Sequence, residues 1–533
     1  MNTSAVVIEY LAAAGIRHIF GYPGDPSVEF LEAARCAGMN FVLASREGTA
    51  GLMAQAYGQL TGRPGVCLST LGPGATNLVN AVANAHLDRV PMLAISGQIE
   101  SRREPYFTHQ VVDHNRLFSP VCKWTAVLQP DTVGTIMRKA LRVACAERPG
   151  PVHLTIAADV VGAEASDDAV VLPPLRAVRT AQIFSTGGAA IDPAKLLKSA
   201  RRPIVLAGVS ALWSDAGDSL TRLAGNLGLP VVVTPMAKGV IAEDHPYYAG
   251  TLDMACNDYL WDFLKGADLV LAVGFDAVEL IKPWPLTVTT LHIDTVPNSD
   301  QIYQAQTEIV GDIAMILDAI TAAGTQSFWR EAEIAAHRSG LSERYYLGRV
   351  SGRLNPTDVI DVVRAAMPID TIVSTDVGSH KLLVGQGWTT HRPRTLLTSN
   401  GLSSMGYSLP AAIAAKILHP ELPVVCFTGD GGLAMVQGEL RVAASLKLDP
   451  IVVVFCDNRL NRIELKQMAR HYPSWGTVIA PTDIVLLAQS MGCDGVAVDS
   501  AAALERALAA PRAGDRPLVI GANIDPAQYA AQF

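Results

Sequence analysis

The chain has 533 residues, 49% hydrophobic and 17% charged, with a formal net charge of −8. That length leaves room for about three domains of ~150 residues. With no basic stripe or Lys/Arg run, the charge balance excludes a nucleic-acid partner. The eight cysteines (Cys36, Cys67, Cys122, Cys145, Cys256, Cys426, Cys456 and Cys493) form no Cys-x-x-Cys pair, and most lie in apolar runs. Buried free thiols in a reducing compartment are expected, not a disulfide framework. Met1–Ser4 carries no basic residue, so no signal peptide is expected. Apolar runs such as Leu269–Val273 are strand-length, short of the ~20 residues of a membrane span. A cytoplasmic chain without a membrane partner is the expectation.

In chain order, a first block over 1–165 alternates helix and strand. Helices are expected at Ala5–Ala14, Gly48–Thr61 and Ala75–Ala85. Strands are expected at His18–Phe20, Asn40–Ala44, Gly65–Ser69, Pro91–Ser96 and Val152–Ile156. Such alternation predicts a doubly wound parallel sheet. Residues 165–190, rich in Ala, Pro, Thr and Gly, read as a linker. A second block, with its domain over 190–323, carries strands at Pro203–Ala207, Pro230–Thr234, Leu269–Val273 and Thr290–Ile293. Gly324–Gly352 is charged and reads as a helical connector. The last block, 353–533, holds strands at Thr371–Ser374, Thr395–Ser399, Pro423–Thr428, Ile451–Phe455 and Pro517–Ile520, with a helical segment at Leu433–Leu448. The fold class is α/β, with three doubly wound parallel-sheet domains.

Gly429-Asp430-Gly431 closes the strand Pro423–Thr428, and Cys456-Asp457-Asn458 closes the next one. Two acidic side chains thus stand at the carboxyl ends of two strands joined by a helical crossover. Helix N-termini attract phosphate. Magnesium is held by one or two carboxylates plus substrate phosphates. The pattern suits a Mg²⁺-diphosphate, although a glycine turn or a turn Asp alone is weak evidence. Glu47, in Ser45-Arg46-Glu47-Gly48, stands at a strand end and helix start, where a dipole-favoured Glu is the plainer reading.

The order Phe20-Gly21-Tyr22-Pro23-Gly24, Arg46-Glu47, Leu71-Gly72-Pro73-Gly74-Ala75-Thr76-Asn77, then Gly-Asp-Gly and the later Asp457, resembles the thiamine diphosphate-dependent enzymes. Asp376-Val377-Gly378-Ser379-His380, Ser399-Asn400-Gly401 and Ser404-Met405-Gly406 resemble the acetolactate synthase and pyruvate decarboxylase branch. His109-Gln110 with Leu117–Val121 resembles its FAD-independent catabolic members. The resemblance spans nearly the whole chain and implies pyrimidine-binding, central and diphosphate-binding domains in that order.

It also implies roles. Glu47 would hydrogen-bond the aminopyrimidine and promote loss of the thiazolium C2 proton, as a carboxyl able to share a proton in a largely apolar pocket. His109, Gln110 and His380 would be catalytic. Asp430, Asp457 and the carbonyl of Arg459 would hold Mg²⁺. The cofactor would further meet Pro23, Gly24, Pro73, Asn77, Gly378, Ser379, Ser403, Met405, Gly429, Gly431, Gly432, Leu460, Asn461, Arg462 and Ile463. Arg46, where the family has His, and the charged Glu464 and Lys466 would select substrates. For α-helical charges such as these, a solvated face is the competing reading.

The implied activity is thiamine diphosphate- and Mg²⁺-dependent decarboxylation of a 2-oxo acid, with carboligation to a second carbonyl acceptor. Alternatives are decarboxylation without ligation, an unusual acceptor, or a catalytically silent cofactor-binding relative. FAD in the central block stays open, with absence preferred, because no Gly-x-Gly-x-x-Gly follows a strand there. A homodimer or homotetramer is implied.

Overall fold

The structure, a computed structural model, describes residues 1–166, 170–176, 182–185 and 193–532. Its strands form three sheets. The first holds β1 (His18–Tyr22), β2 (Asn40–Leu43), β3 (Gly65–Ser69), β4 (Met92–Gln98), β5 (Trp124–Val127) and β6 (Pro151–Ala157), in the order β2-β1-β3-β4-β6-β5. The second holds β7 (Gln182–Ser185), β8 (Pro203–Ala207), β9 (Val231–Val233), β10 (Tyr248–Thr251), β11 (Leu269–Val273), β12 (Thr290–Asp294) and β13 (Thr307–Val310), in the order β10-β9-β8-β11-β12-β13-β7. The third holds β14 (Ile372–Thr375), β15 (Leu396–Thr398), β16 (Val424–Gly429), β17 (Ile451–Cys456), β18 (Asp494–Val498) and β19 (Leu518–Asn523), in the order β15-β14-β16-β17-β19-β18. The first and third sheets therefore share one strand order, a likeness only faintly visible in the residues.

Among the described residues, these strands pair in parallel except where β7 runs antiparallel to β13. That strand lies inside the stretch read as a linker. The parts of that stretch at 167–169, 177–181 and 186–190 lie outside the described residues. The inner strands β3, β4, β6, β8 and β11 are buried along their whole length. This is what parallel sheets covered by helices on both faces require, and it explains their unbroken apolar runs.

Eight helices matter for the site: α1 (Glu47–Thr61), α2 (Pro73–Leu87), α3 (Val209–Trp213), α4 (Ser379–Gly387), α5 (Ser408–Leu418), α6 (Asp430–Val436), α7 (Gly438–Ser445) and α8 (Asn461–Ala469). The expected helical segment 433–448 is two helices, broken at Gln437. The break puts Glu439 in the first turn of α7.

By Cα proximity the chain forms two compact units. One comprises Met1–Ala177, Leu402–Glu421 and Val436–Asp449; the other comprises Val178–Gly401, Leu422–Met435 and Pro450–Phe533. The first sheet belongs to the first unit, and the other two sheets belong to the second. Helices α5 and α7, though late in sequence, thus pack with the first sheet, and α5 lies along α1. All eight cysteines are free. Cys36 departs from the expected burial: it is exposed, its Sγ donating to Glu32 Oε1 at 3.3 Å. Among the described residues, no helix is long and apolar enough to cross a membrane.

Candidate active site

In an open parallel sheet, ligands bind beyond the carboxyl ends of the strands, where the strand order reverses. In the first sheet that point lies between β1 and β3. Pro23-Gly24 follows β1, and Thr70 to Pro73 follow β3. Gly24 approaches Thr70 so closely that a Cβ on it would lie 2.1 Å from Thr70 Oγ1. Gly72, at φ 46°, lies under the backbone of Gln110, itself at φ 61°. This contact brings the His109-Gln110 segment onto the Gly72-Pro73-Gly74 turn. His109 itself is exposed.

Glu47 opens α1 and is buried. Its Oε2 accepts from Asn77 Nδ2 at 3.2 Å. A Cβ at Gly74 would stand 3.1 Å from Glu47 Oε1, so the glycine keeps that oxygen uncovered. One turn along α2 from Asn77, Asn80 Nδ2 donates to Ser404 Oγ at 3.0 Å. The Ser403-Ser404-Met405 segment is thereby tied to the same helix. Ser403 adopts φ 56° to make the turn. The first unit thus gathers Pro23, Gly24, Glu47, Pro73, Asn77, Gln110, Ser403 and Met405 around α1, α2 and the β1 and β3 ends.

In the third sheet the order reverses between β14 and β16. Asp376-Val377-Gly378 follows β14, and Gly429-Asp430 follows β16. Asp430 Oδ2 accepts from the backbone N–H groups of Asp457 at 3.2 Å and Asn458 at 2.7 Å; Oδ1 accepts from Gly431 at 2.7 Å. The loop after β17 is thereby wrapped around the Asp430 carboxylate, with Asn458 at φ 55°. Asp457 Oδ1 caps the next turn, accepting from Arg459 N at 3.1 Å. Burial raises the Asp430 carboxyl above its ordinary range against those three donors. Burial, and then the charge of Asp430, push Asp457 up to about 7. Two buried carboxylates, one of whose charges discourages ionisation of the other, are a donor set that a hard cation relieves.

Three further contacts build this crevice. Asp376, fully buried, accepts from Val377 N at 2.7 Å and from Thr428 Oγ1 at 3.2 Å, joining the two strand ends. Ser379 Oγ donates to Asn461 Oδ1 at 3.0 Å, tying the start of α4 to the start of α8. His380 stacks on Phe455 at 5.2 Å, and its ring edge faces Gly378 and Gly429. Burial holds its pKa down to about 3. One ring nitrogen bonds the Asp376 backbone, and Nε2 has no hydrogen-bond partner among the described residues. A neutral imidazole so bound presents Nε2 as an acceptor.

Helix α8 has no fully buried residue. Glu464 turns back to an ion pair with Arg459 and accepts from Ser474 Oγ at 2.7 Å. Leu460 N donates to Thr477 O at 2.7 Å, and Ile463 is exposed. Arg462 and Lys466 face a cleft of about 400 Å³ shared with Asp253, Tyr259, Lys282 and Arg344. Arg46 is exposed in the first unit, Glu464 is engaged within its own loop, and Lys466 stands at this cleft.

The central sheet reverses between β8 and β11, and its crevice is filled by the chain itself. Buried Glu279 accepts from Val209 N, at the start of α3, at 3.0 Å, from Asp276 N at 3.2 Å, and from Thr234 Oγ1. A Cβ on Gly208 would lie 2.5 Å from Glu279 Oε2. Sequence reasoning missed this plug, and also Asp376 and Glu439 as partners of the two strand-end sites.

Two switch-point crevices, one acidic and glycine-rich, the other carrying a buried glutamate, define a cofactor-dependent α/β enzyme. Domain by domain the residues agree. Positions 1–117 match the thiamine pyrophosphate enzyme N-terminal TPP binding domain, 192–320 the central domain, and 376–522 the C-terminal TPP binding domain. The chain belongs to the thiamine pyrophosphate enzymes. It is 30% identical to a probable acetolactate synthase large subunit of Methanococcus aeolicus, over 99% of this chain and 92% of that one. It is 29% identical to the acetolactate synthase of Bacillus subtilis, over 98% and 92%. It is also 29% identical to a probable 2-ketoarginine decarboxylase of Pseudomonas aeruginosa, over 92% and 89%.

Proposed function

We propose that the chain decarboxylates a 2-oxo acid and ligates the product fragment to a second carbonyl compound, using thiamine diphosphate and Mg²⁺. Acetolactate formation from pyruvate is the leading reaction. The observation that carries the reading is the pairing of Asp430 with Asp457, wrapped by one loop at the ends of adjacent strands β16 and β17. When bound, thiamine diphosphate supplies the electron sink for loss of CO₂. Asp430, Asp457 and the Arg459 carbonyl would hold the metal, and the diphosphate would lie against Gly429–Gly432 at the start of α6. Glu47 Oε1, uncovered beside Gly74, would exchange a proton with the aminopyrimidine while Asn77 holds Oε2. Incubation with a panel of 2-oxo acids, with and without acceptor aldehydes, tests the reading. A hydroxy-oxo acid or acyloin product supports ligation, and free aldehyde alone supports the simple decarboxylase. The three-domain division at 1–165, 190–323 and 353–533 and a cytoplasmic location belong to the same proposal.

Glu279 supports a flavin-free central domain, because its carboxyl takes the Val209 N–H at the start of α3, where a dinucleotide phosphate would bind. Purified protein is expected to lack an absorption band at roughly 450 nm. A stoichiometric flavin would overturn this part of the reading.

A homodimer, or a tetramer of such pairs, is proposed, with each site shared between the first block of one subunit and the last block of another. Tyr472, Val478 and Trp475 are 60%, 72% and 84% exposed in one loop. Apolar surface gathered in this way marks an interaction face. Mixing Glu47→Gln with Asp430→Ala subunits under exchange conditions is expected to restore part of the activity. No rescue after proven exchange would contradict a shared site.

Lys466 at its cleft is placed to hold an anionic group as a point charge. Lys466→Ala is expected to lower kcat/KM for substrates with a second anionic group by ~10–100-fold, the worth of one charged hydrogen bond, sparing neutral ones. Equal kcat/KM for every substrate would make it a solvated residue.

A further inference from the structure

We propose that Glu439 is the positioning residue for Glu47. The inference rests on the reading of Glu47 above and concerns how that side chain is held.

The turn from β2 into α1 carries Glu47 with little support of its own. Arg46, the N-cap, makes no side-chain capping bond. The turn is instead gripped from α7. A single oxygen, Glu439 Oε1, accepts from Ser45 N at 2.9 Å and from Thr49 Oγ1 at 2.6 Å. These donors stand two residues before and two residues after Glu47, so one carboxylate clamps both sides of it. The Thr49 hydroxyl also lies 2.8 Å from Arg46 O. It has one proton, and the shorter bond, to Glu439, takes it. Glu439 is fully buried, and all these residues lie in one compact unit.

The approach is built for. Gly438 lies against Ser45, where an added Cβ would come within 3.1 Å of Ser45 Oγ. The break between α6 and α7 is what brings Gly438-Glu439 to this turn. Fully burying a carboxylate is costly unless it is hydrogen-bonded. Here the bonds of Oε1 go to the turn carrying Glu47, while Oε2 has no hydrogen-bond partner among the described residues. Displacing a proton-transfer group by about 1 Å costs ~100-fold in rate, so a clamp on this turn controls the proton step without touching the cofactor.

The test uses full-length protein with thiamine diphosphate and Mg²⁺. Three quantities are read: exchange of the cofactor C2 proton in D₂O, cofactor affinity by calorimetry, and thermal melting. Glu439→Ala is expected to slow exchange by ~10–100-fold with affinity little changed. Glu439→Gln, whose amide oxygen accepts the same two bonds, recovers most of the rate. Thr49→Val, which removes one donor at nearly constant volume, slows exchange several-fold, and Thr49→Ser restores it. If Glu439→Ala fails to fold, the Thr49 pair decides. Wild-type exchange in Thr49→Val, or slowing that only tracks lost affinity or lost folded protein, overturns the proposal. If Glu47→Gln also exchanges at the wild-type rate, the reading of Glu47 is what fails. If Glu47→Gln is slow and the Glu439 and Thr49 variants are normal, only the clamp fails.

Discussion

Asp430→Ala is expected to abolish retention of thiamine diphosphate, with affinity falling by ~100-fold or more. The substitution acts twice. It removes a carboxylate oxygen from the cation and leaves the diphosphate charge unneutralised. It also releases the loop after β17, since Asp430 Oδ2 is the acceptor for both Asp457 N and Asn458 N. Asp430→Asn separates the two effects: an amide oxygen can still accept from the loop but carries no charge. Titration calorimetry with cofactor and Mg²⁺ measures both variants. The account expects Asn to preserve melting behaviour while still losing most of the affinity. Wild-type binding in the Ala variant would remove Asp430 from the metal site.

Glu47→Gln is expected to bind the cofactor nearly normally and to slow exchange of its C2 proton by ~100-fold or more, the usual weight of a general acid–base group. Gln keeps the length and the acceptor that Asn77 Nδ2 needs. It cannot pass a proton at the oxygen left open by Gly74. Exchange in D₂O isolates this step from substrate binding and product release. A wild-type rate would leave Glu47 as a helix-start residue favoured only by the dipole.

How far the residues foretold these elements depended on burial. β8, β11 and β17 read clearly as strands because both faces are covered, giving unbroken apolar runs. β5 and β18 are half-exposed edge strands whose residues do not stand out from loops. β13 carries Glu308, which is buried only because its Oε2 accepts from Asn298 N. β7 is four residues long and finds its partner β13 far along the chain.

The crevices follow the same logic. Asp430 and Asp457 announce themselves by standing at successive strand ends with glycines beside the first. Glu439 looks like any acidic residue in a helical first turn, and its meaning lies in a bond to Thr49 across 390 positions. The role of Glu279 as the plug of the central crevice shows only in the positions of Val209, Thr234 and Asp276. Sequence offered Arg46, Glu464 and Lys466 as one selecting group. The Arg459–Glu464 pair withdraws Glu464 from it, because a carboxylate bonded within its own loop is no longer available to a substrate.

Release of CO₂ from pyruvate and a panel of other 2-oxo acids, followed with and without thiamine diphosphate and Mg²⁺, tests the central claim most directly. The account predicts release from at least one of them that requires both additions, disappears in Asp430→Ala, and is accompanied by a carbon–carbon-ligated product. Binding of the cofactor with no CO₂ release from any 2-oxo acid, or release that proceeds without the cofactor, would contradict it.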